Sequence, residues 1–122
     1  MKILILEDSP QRIKQFRAGL TKHQLFITDK VDEALNELRI DTNYEMILLD
    51  NDLGHKLEGR DLANYIELDA VREEPYIKSI RKIIIHSSNI VAAQYMRGVL
   101  KQFDAEHIPF TNFPIDILNE VT

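Results

Sequence analysis

The chain has 122 residues, which suits one domain spanning 1–122 and built around one core. Its hydrophobic share of 44% and charged share of 29% are those of an ordinary globular protein, and no apolar run is long enough to span a bilayer. A net charge of −5 without a dense Lys/Arg run excludes the electrostatic footprint of a free-standing nucleic-acid binder; the absence of cysteine excludes disulfides and thiolate chemistry and fits a reducing cytoplasm.

Lys2 to Leu6 is an apolar run rich in Ile and Leu, which predicts a first strand buried on both faces. Glu7-Asp8 cuts it off, so it is no signal peptide. Ser9 and Pro10 suit the cap and first position of a helix running to about Thr21, with Ile13, Phe16 and Leu20 at helical spacing. Gln24 to Thr28 predicts a second strand. Asp29 is placed to cap a helix with Val31, Ala34, Leu35 and Leu38 on one face, ending near Ile40. Glu45 to Asp50 predicts the third strand. A polar loop, Gly54 to Gly59, leads to a helix marked by Leu62, Ala63, Ile66 and Leu68 or Ala70. Arg72 to Ser79 reads as a connection, and Arg81 to Ile85 as a fourth strand. The helix after it carries Ile90 or Val91, Tyr95, Val99 and Leu100, with Ser88 or Asn89 as cap. Ala105 to Ile108 predicts a short fifth strand, Pro109 to Pro114 a loop, and Ile115 to Val121 a last helix. This alternation predicts a doubly wound α/β fold with a parallel sheet.

Three strand ends carry polar residues that packing does not require: Glu7-Asp8, Asp50-Asn51-Asp52 and His86-Ser87-Ser88-Asn89. In a parallel sheet with right-handed crossovers these ends share one edge. Glu7, Asp8, Asp50 and Asp52 supply the oxygens a hard cation such as magnesium takes. Ser87, Ser88 and Asn89, at a helix start, suit a phosphate. Each has a plainer reading. Asp50 and Asp52 could close a turn, Asp8 could cap the first helix, and Ser87, Ser88 and Asn89 could only cap the next one. Arg12 could reach a phosphate or pair with Glu7 or Asp8. His86 could contact phosphate, move a proton, or be a satisfied core histidine. His55 reads as a solvated loop residue, and His23 and His107 suggest no role.

The order of elements resembles the receiver domain of two-component response regulators. That resemblance implies a five-stranded, flavodoxin-like three-layer sandwich with strand order 2-1-3-4-5. It also implies an acidic pair at Glu7-Asp8, a phosphoacceptor at Asp50, a backbone carbonyl for magnesium from Asp52, and a glycine at Gly59. The family's Ser or Thr after the fourth strand is matched by His86-Ser87. Its Lys-Pro pair after the fifth strand meets Ile108-Pro109, so the Lys is absent, which counts against ordinary aspartyl-phosphate switching.

The closer resemblance is to the cyclic-phosphate-processing branch of receivers. It rests on Glu7-Asp8 with Arg12, on Asp50-Asn51-Asp52-Leu53-Gly54, where Asn51 replaces the branch's middle His, and on His86-Ser87-Ser88-Asn89. It implies a magnesium site and a cyclic or nucleotide phosphate as ligand. In a catalytic version Asp50 and Asp8 hold the metal, His86 moves a proton, and Ser87 and Asn89 hold phosphate oxygens. The alternatives are a receiver phosphorylated on Asp50 that signals to a kinase or effector partner, and a degenerate receiver serving as an interaction module.

Overall fold

The structure, a computed structural model, describes residues 1–115. Five strands, β1 (Lys2–Leu6), β2 (Gln24–Thr28), β3 (Met46–Leu49), β4 (Lys82–Ile85) and β5 (Glu106–His107), form one sheet in the order β2-β1-β3-β4-β5 with every pair parallel. Between them run α1 (Pro10–Gly19), α2 (Val31–Ile40), α3 (Gly59–Val71) and α4 (Ile90–Val99). Among the described residues no helix is long and apolar enough to cross a membrane. The last predicted helix lies almost wholly outside the described residues.

The unbroken apolar runs hide a two-residue alternation, because each face of the sheet meets its own core. Leu4, Leu6, Ile47, Leu49, Ile83 and Ile85 pack with α2, α3 and α4. Ile3, Ile5, Leu48 and Ile84 pack with Phe16 and Leu20 at the α1 side. The register aligns Ile5 with Leu48 and Leu48 with Ile84, so one face carries one row of side chains across three strands.

Ser9 caps α1 by accepting from the Arg12 N–H, and Pro10 opens the helix, as the sequence predicts. Three local expectations need correction. The cap position of α2 is Lys30, which makes no side-chain cap bond, and Asp29 turns instead to His55, whose Nε2 donates to it across 2.9 Å. At the end of α4, Leu100 is buried and Val99 packs against the core as expected, but Ile90, Val91 and Tyr95 are exposed and the buried face of the helix is Ala92, Ala93 and Met96. Small side chains let this helix lie close to the sheet. In α3, Leu68 is exposed and the buried position is Asp69, whose carboxylate takes Nε and Nη2 of Arg39 at 3.0 and 2.8 Å and the Tyr76 hydroxyl at 2.7 Å. A buried carboxylate needs such partners, and this one ties α2, α3 and the 3₁₀ turn Pro75–Ser79 together.

Candidate active site

The alternation that sorts the core also assembles the site. Ile5 and Glu7, Leu48 and Asp50, and Ile84 and His86 are pairs two residues apart, so the polar member of each follows its apolar partner onto the α1 face of the sheet. Backbone bonds carry the ladder one residue past the strands: Glu7 N–H donates to Thr28 O, Asp50 N–H to Leu6 O, and His86 N–H to Leu49 O. Glu7, Asp50 and His86 therefore stand side by side, all buried, each offering a ligand atom within 4.8 Å of the others.

Glu7 is fully enclosed and heavily partnered. Its Oε1 accepts from His86 Nε2 at 2.9 Å, with Arg12 Nη1 at 3.7 Å, and its Oε2 accepts from the backbone N–H groups of Asp8 and Ser9, each at 3.0 Å. Burial works against its ionisation, but the His86 and Ser9 hydrogen bonds and the nearby positive charge outweigh burial and bring its pKa down to about 2. Asp50 has one backbone donor, the Asn51 N–H at 2.8 Å. Burial, and then the Glu7 charge, push Asp50 up to about 6. Two neighbouring carboxylates are thus set apart by environment: Glu7 keeps its charge and Asp50 is the one that takes up a proton.

Above them opens a polar cleft of about 540 Å³ lined by Glu7, Asp8, Arg12, Asp50, Asp52 and Ser88, with Ser9, Gln11, Gln15 and Phe110 at its α1 side. Asp8 is exposed there, and partial desolvation with the Glu7 charge raises its pKa. The Arg12 guanidinium sits 5.1 Å from the Phe110 ring centre. Asp52 is exposed and accepts from the side-chain amides of Asn51 at 2.9 Å and Asn89 at 3.3 Å.

Several of the residues singled out in the sequence do not line this cleft. Ser87 is buried; its hydroxyl accepts from the Asn89 N–H at 3.0 Å and its carbonyl from His107 Nε2 at 2.7 Å. Asn89 Oδ1 caps α4 by accepting from the Ala92 N–H. His86 lies behind the carboxylates with its ring against Phe16 at 5.3 Å and Phe113 at 6.3 Å. His55 is held by Asp29.

Other participants escape a reading of strand ends alone. Asn51 is buried, with Oδ1 accepting from the Arg60 N–H at the start of α3 and its carbonyl from the Gly59 N–H. At Gly59 a Cβ would stand 1.9 Å from the Asp50 carbonyl oxygen, so only glycine lets α3 approach the strand carrying Asp50 so closely. Gln11 and Gln15, one helical turn apart and beside Arg12, were detectable as a polar face of α1 directed to the same edge.

Solved structures similar to this chain share its fold. A CheY-like response regulator receiver domain from Methanospirillum hungatei matches with a TM-score of 0.67 at 16% identity, covering 98% of this chain and 89% of that one. The receiver domain of a LuxO-type repressor protein from Vibrio parahaemolyticus gives 0.68 at 16% identity, over 98% and 84%. The response regulator TrrA from Thermotoga maritima, solved with Mg²⁺ and a beryllofluoride, gives 0.65 at 23% identity, over 98% and 93%. No curated protein is similar in sequence at a significant level. Residues 2–102, however, match the cyclic-phosphate processing receiver domain as a family. This stretch holds all of β1 to β4, the strand ends that carry Glu7 and Asp50, and the His86-to-Asn89 turn, and the chain belongs to that receiver family.

Proposed function

We propose that the cleft binds a divalent cation together with the phosphate of a cyclic or nucleotide ligand. One observation carries this reading: two carboxylates, Glu7 and Asp50, share a buried wall of a polar cleft, and in the absence of a cation Asp50 is pushed up to about 6 by burial and by its neighbour's charge. A divalent cation removes the conflict, because it lets both groups be ionised at once. When bound, the cation supplies charge neutralisation and polarises a phosphoryl oxygen. The chain's own residues do the rest. Asp50 releases its proton as the cation is taken up. Arg12, the only cationic side chain among the described residues lining the cleft, meets the phosphate charge. The exposed Ser88 offers a hydroxyl at the start of α4, where the helix end favours an anion. Asp52, fixed by Asn51 and Asn89, holds the β3–α3 loop against the cap of α4.

The test is calorimetric. The chain is titrated with a divalent cation, and then with inorganic phosphate, cyclic nucleotides and nucleoside monophosphates in its presence. Cation-dependent binding of a phosphate-bearing ligand, lost in Asp50→Asn, is the expected result. Cation binding with no phosphate ligand taken up at all sinks the phosphate half. A parallel incubation with acetyl phosphate, read by intact mass, identifies a phosphoacceptor instead if Asp50 gains a stable phosphoryl group.

A further inference from the structure

We propose that the α1 side of the cleft is a base-binding subsite, so that the phosphate-bearing ligand is a nucleotide whose base lies against Phe110 and meets the carboxamides of Gln11 and Gln15. The inference rests on the reading that the cleft takes a cation and a phosphate, and it names the rest of the ligand. The cleft leaves room for that rest. It holds about 540 Å³, within the range of about 300–1,000 Å³ that houses whole small molecules. At about 30 Å³ for each water-sized group, a cation with a five-atom phosphate fills roughly a third of it.

The lining changes character across the cleft. Glu7, Asp50, Asp52 and Ser88, at or just past the strand ends, are charged or carry a hydroxyl. Toward α1 the lining turns to two uncharged carboxamides and a phenyl ring. Gln11 and Gln15 are both exposed and lie about 6 Å apart along the axis of α1. Ser9 already caps this helix, so neither glutamine is needed there. Each carboxamide carries an acceptor and two donors, and the edge of a base carries both kinds of group. Phe110 is half-buried and is held by an edge-to-face contact with Phe16 at 5.3 Å, which makes its ring a fixed apolar wall. Inorganic phosphate and sugar phosphates have no flat apolar face to set against such a wall. A base does, and bases pack on aromatic rings and on guanidinium planes alike. Arg12 lies between the two halves, with its guanidinium 5.1 Å from the Phe110 ring centre and Nη1 3.7 Å from Glu7 Oε1. It is placed to hold a phosphate and to border a base at once. Phe110 lies outside residues 2–102, so this wall belongs to the part of the chain beyond the family match.

The experiment uses the full chain in excess Mg²⁺, and again in excess Mn²⁺, titrated with inorganic phosphate, ribose 5-phosphate, the four nucleoside monophosphates and their cyclic forms. At least one nucleotide is expected to bind more tightly than ribose 5-phosphate by about tenfold or more, the usual worth of a stacked base. Gln11→Ala combined with Gln15→Ala, on the exposed side of α1, is expected to bring that ratio down by about threefold or more. Phe110→Leu, which keeps apolar bulk against Phe16, is expected to bring it down toward one. In case Phe110→Leu disturbs Arg12 or the fold, magnetisation transfer from the wild-type chain to the base protons of the bound nucleotide reads the same contact directly. A ratio near one for every nucleotide, or a ratio that the double glutamine variant leaves unchanged, overturns this inference and leaves the cation-and-phosphate reading standing. No binding of any of these phosphates overturns both.

Discussion

His86 and Glu7 stand 79 positions apart in the chain and meet across 2.9 Å, with neither side chain exposed. Because β3 lies between β1 and β4, this bond reaches across the strand that delivers Asp50. Asp50 therefore stands beside a carboxylate, Glu7, whose oxygens already have their donors, and its own ionisation bears the electrostatic cost.

That cost has a pH signature. The folded pKa of Asp50 is raised from 3.8 to about 6, so the native state holds a proton that the unfolded state has lost in between. Without metal, stability contributed by Asp50 is full below its unfolded pKa and declines as pH rises through about 6, by up to about 3 kcal/mol. Asp50→Asn removes this decline. Thermal melts of the metal-free variant should match wild type near pH 4 and exceed it at pH 7. A lower melting temperature for the variant at pH 7 would make Asp50 a structural residue.

Glu7 behaves oppositely. Its folded pKa lies below its ordinary value, so its stabilisation is present above 4.5 and lost as pH falls toward about 2. Glu7→Ala leaves the His86, Asp8 and Ser9 donors without their acceptor and should cost about 3 kcal/mol or more in urea unfolding at pH 7. Glu7→Gln, which keeps an acceptor, should cost less. Equal losses from the two would show that the carboxylate charge, not the shape or a single remaining acceptor, governs the position.

Two glycines make opposite predictions. Gly59→Ala drives a Cβ into the Asp50 carbonyl, so α3 must move; stability should fall by about 1–3 kcal/mol and cation affinity with it. Gly98 lies exposed in α4 with nothing within 4 Å of an added Cβ, so Gly98→Ala should stabilise by about 0.5–1 kcal/mol with cation binding unchanged. Denaturant titration and calorimetry of both variants check this.

Arg12→Ala should weaken a phosphate-bearing ligand by about 1.5 kcal/mol or more, the worth of a hydrogen bond to a charged group, and flatten the dependence of binding on salt. Binding that keeps its strength and its salt dependence in Arg12→Ala would remove the guanidinium from the phosphate site.

The sheet was legible because three strands, β1, β3 and β4, carry continuous apolar runs ended by an acid or a histidine, and the meeting of Glu7, Asp50 and His86 follows from their position one residue past those runs. What remained hidden lay in partners distant in sequence or in side-chain size. Nothing near Asp69 announces that Arg39, 30 positions earlier, will neutralise it. In α4 the large aliphatics Ile90 and Val91 look like the core, yet close packing on the sheet selects Ala92 and Ala93. The aromatic wall behind His86 joins Phe16 of α1 to Phe113 after β5, a contact no local pattern contains. Ser87 and Asn89 read equally as ligands or as caps, and only the geometry shows their oxygens accepting from the backbone of their own turn and helix.

The shortness of β5 has a consequence for the molecule in a crowded solution. A sheet border offers unpaired backbone groups to any foreign strand, and the hazard grows with the length of that border. At β5 the border is two residues long, and the His107 side chain is turned inward to the Ser87 carbonyl. Strand-on-strand aggregation is thereby directed to the opposite border, β2, whose five residues from Gln24 to Thr28 present the longer template.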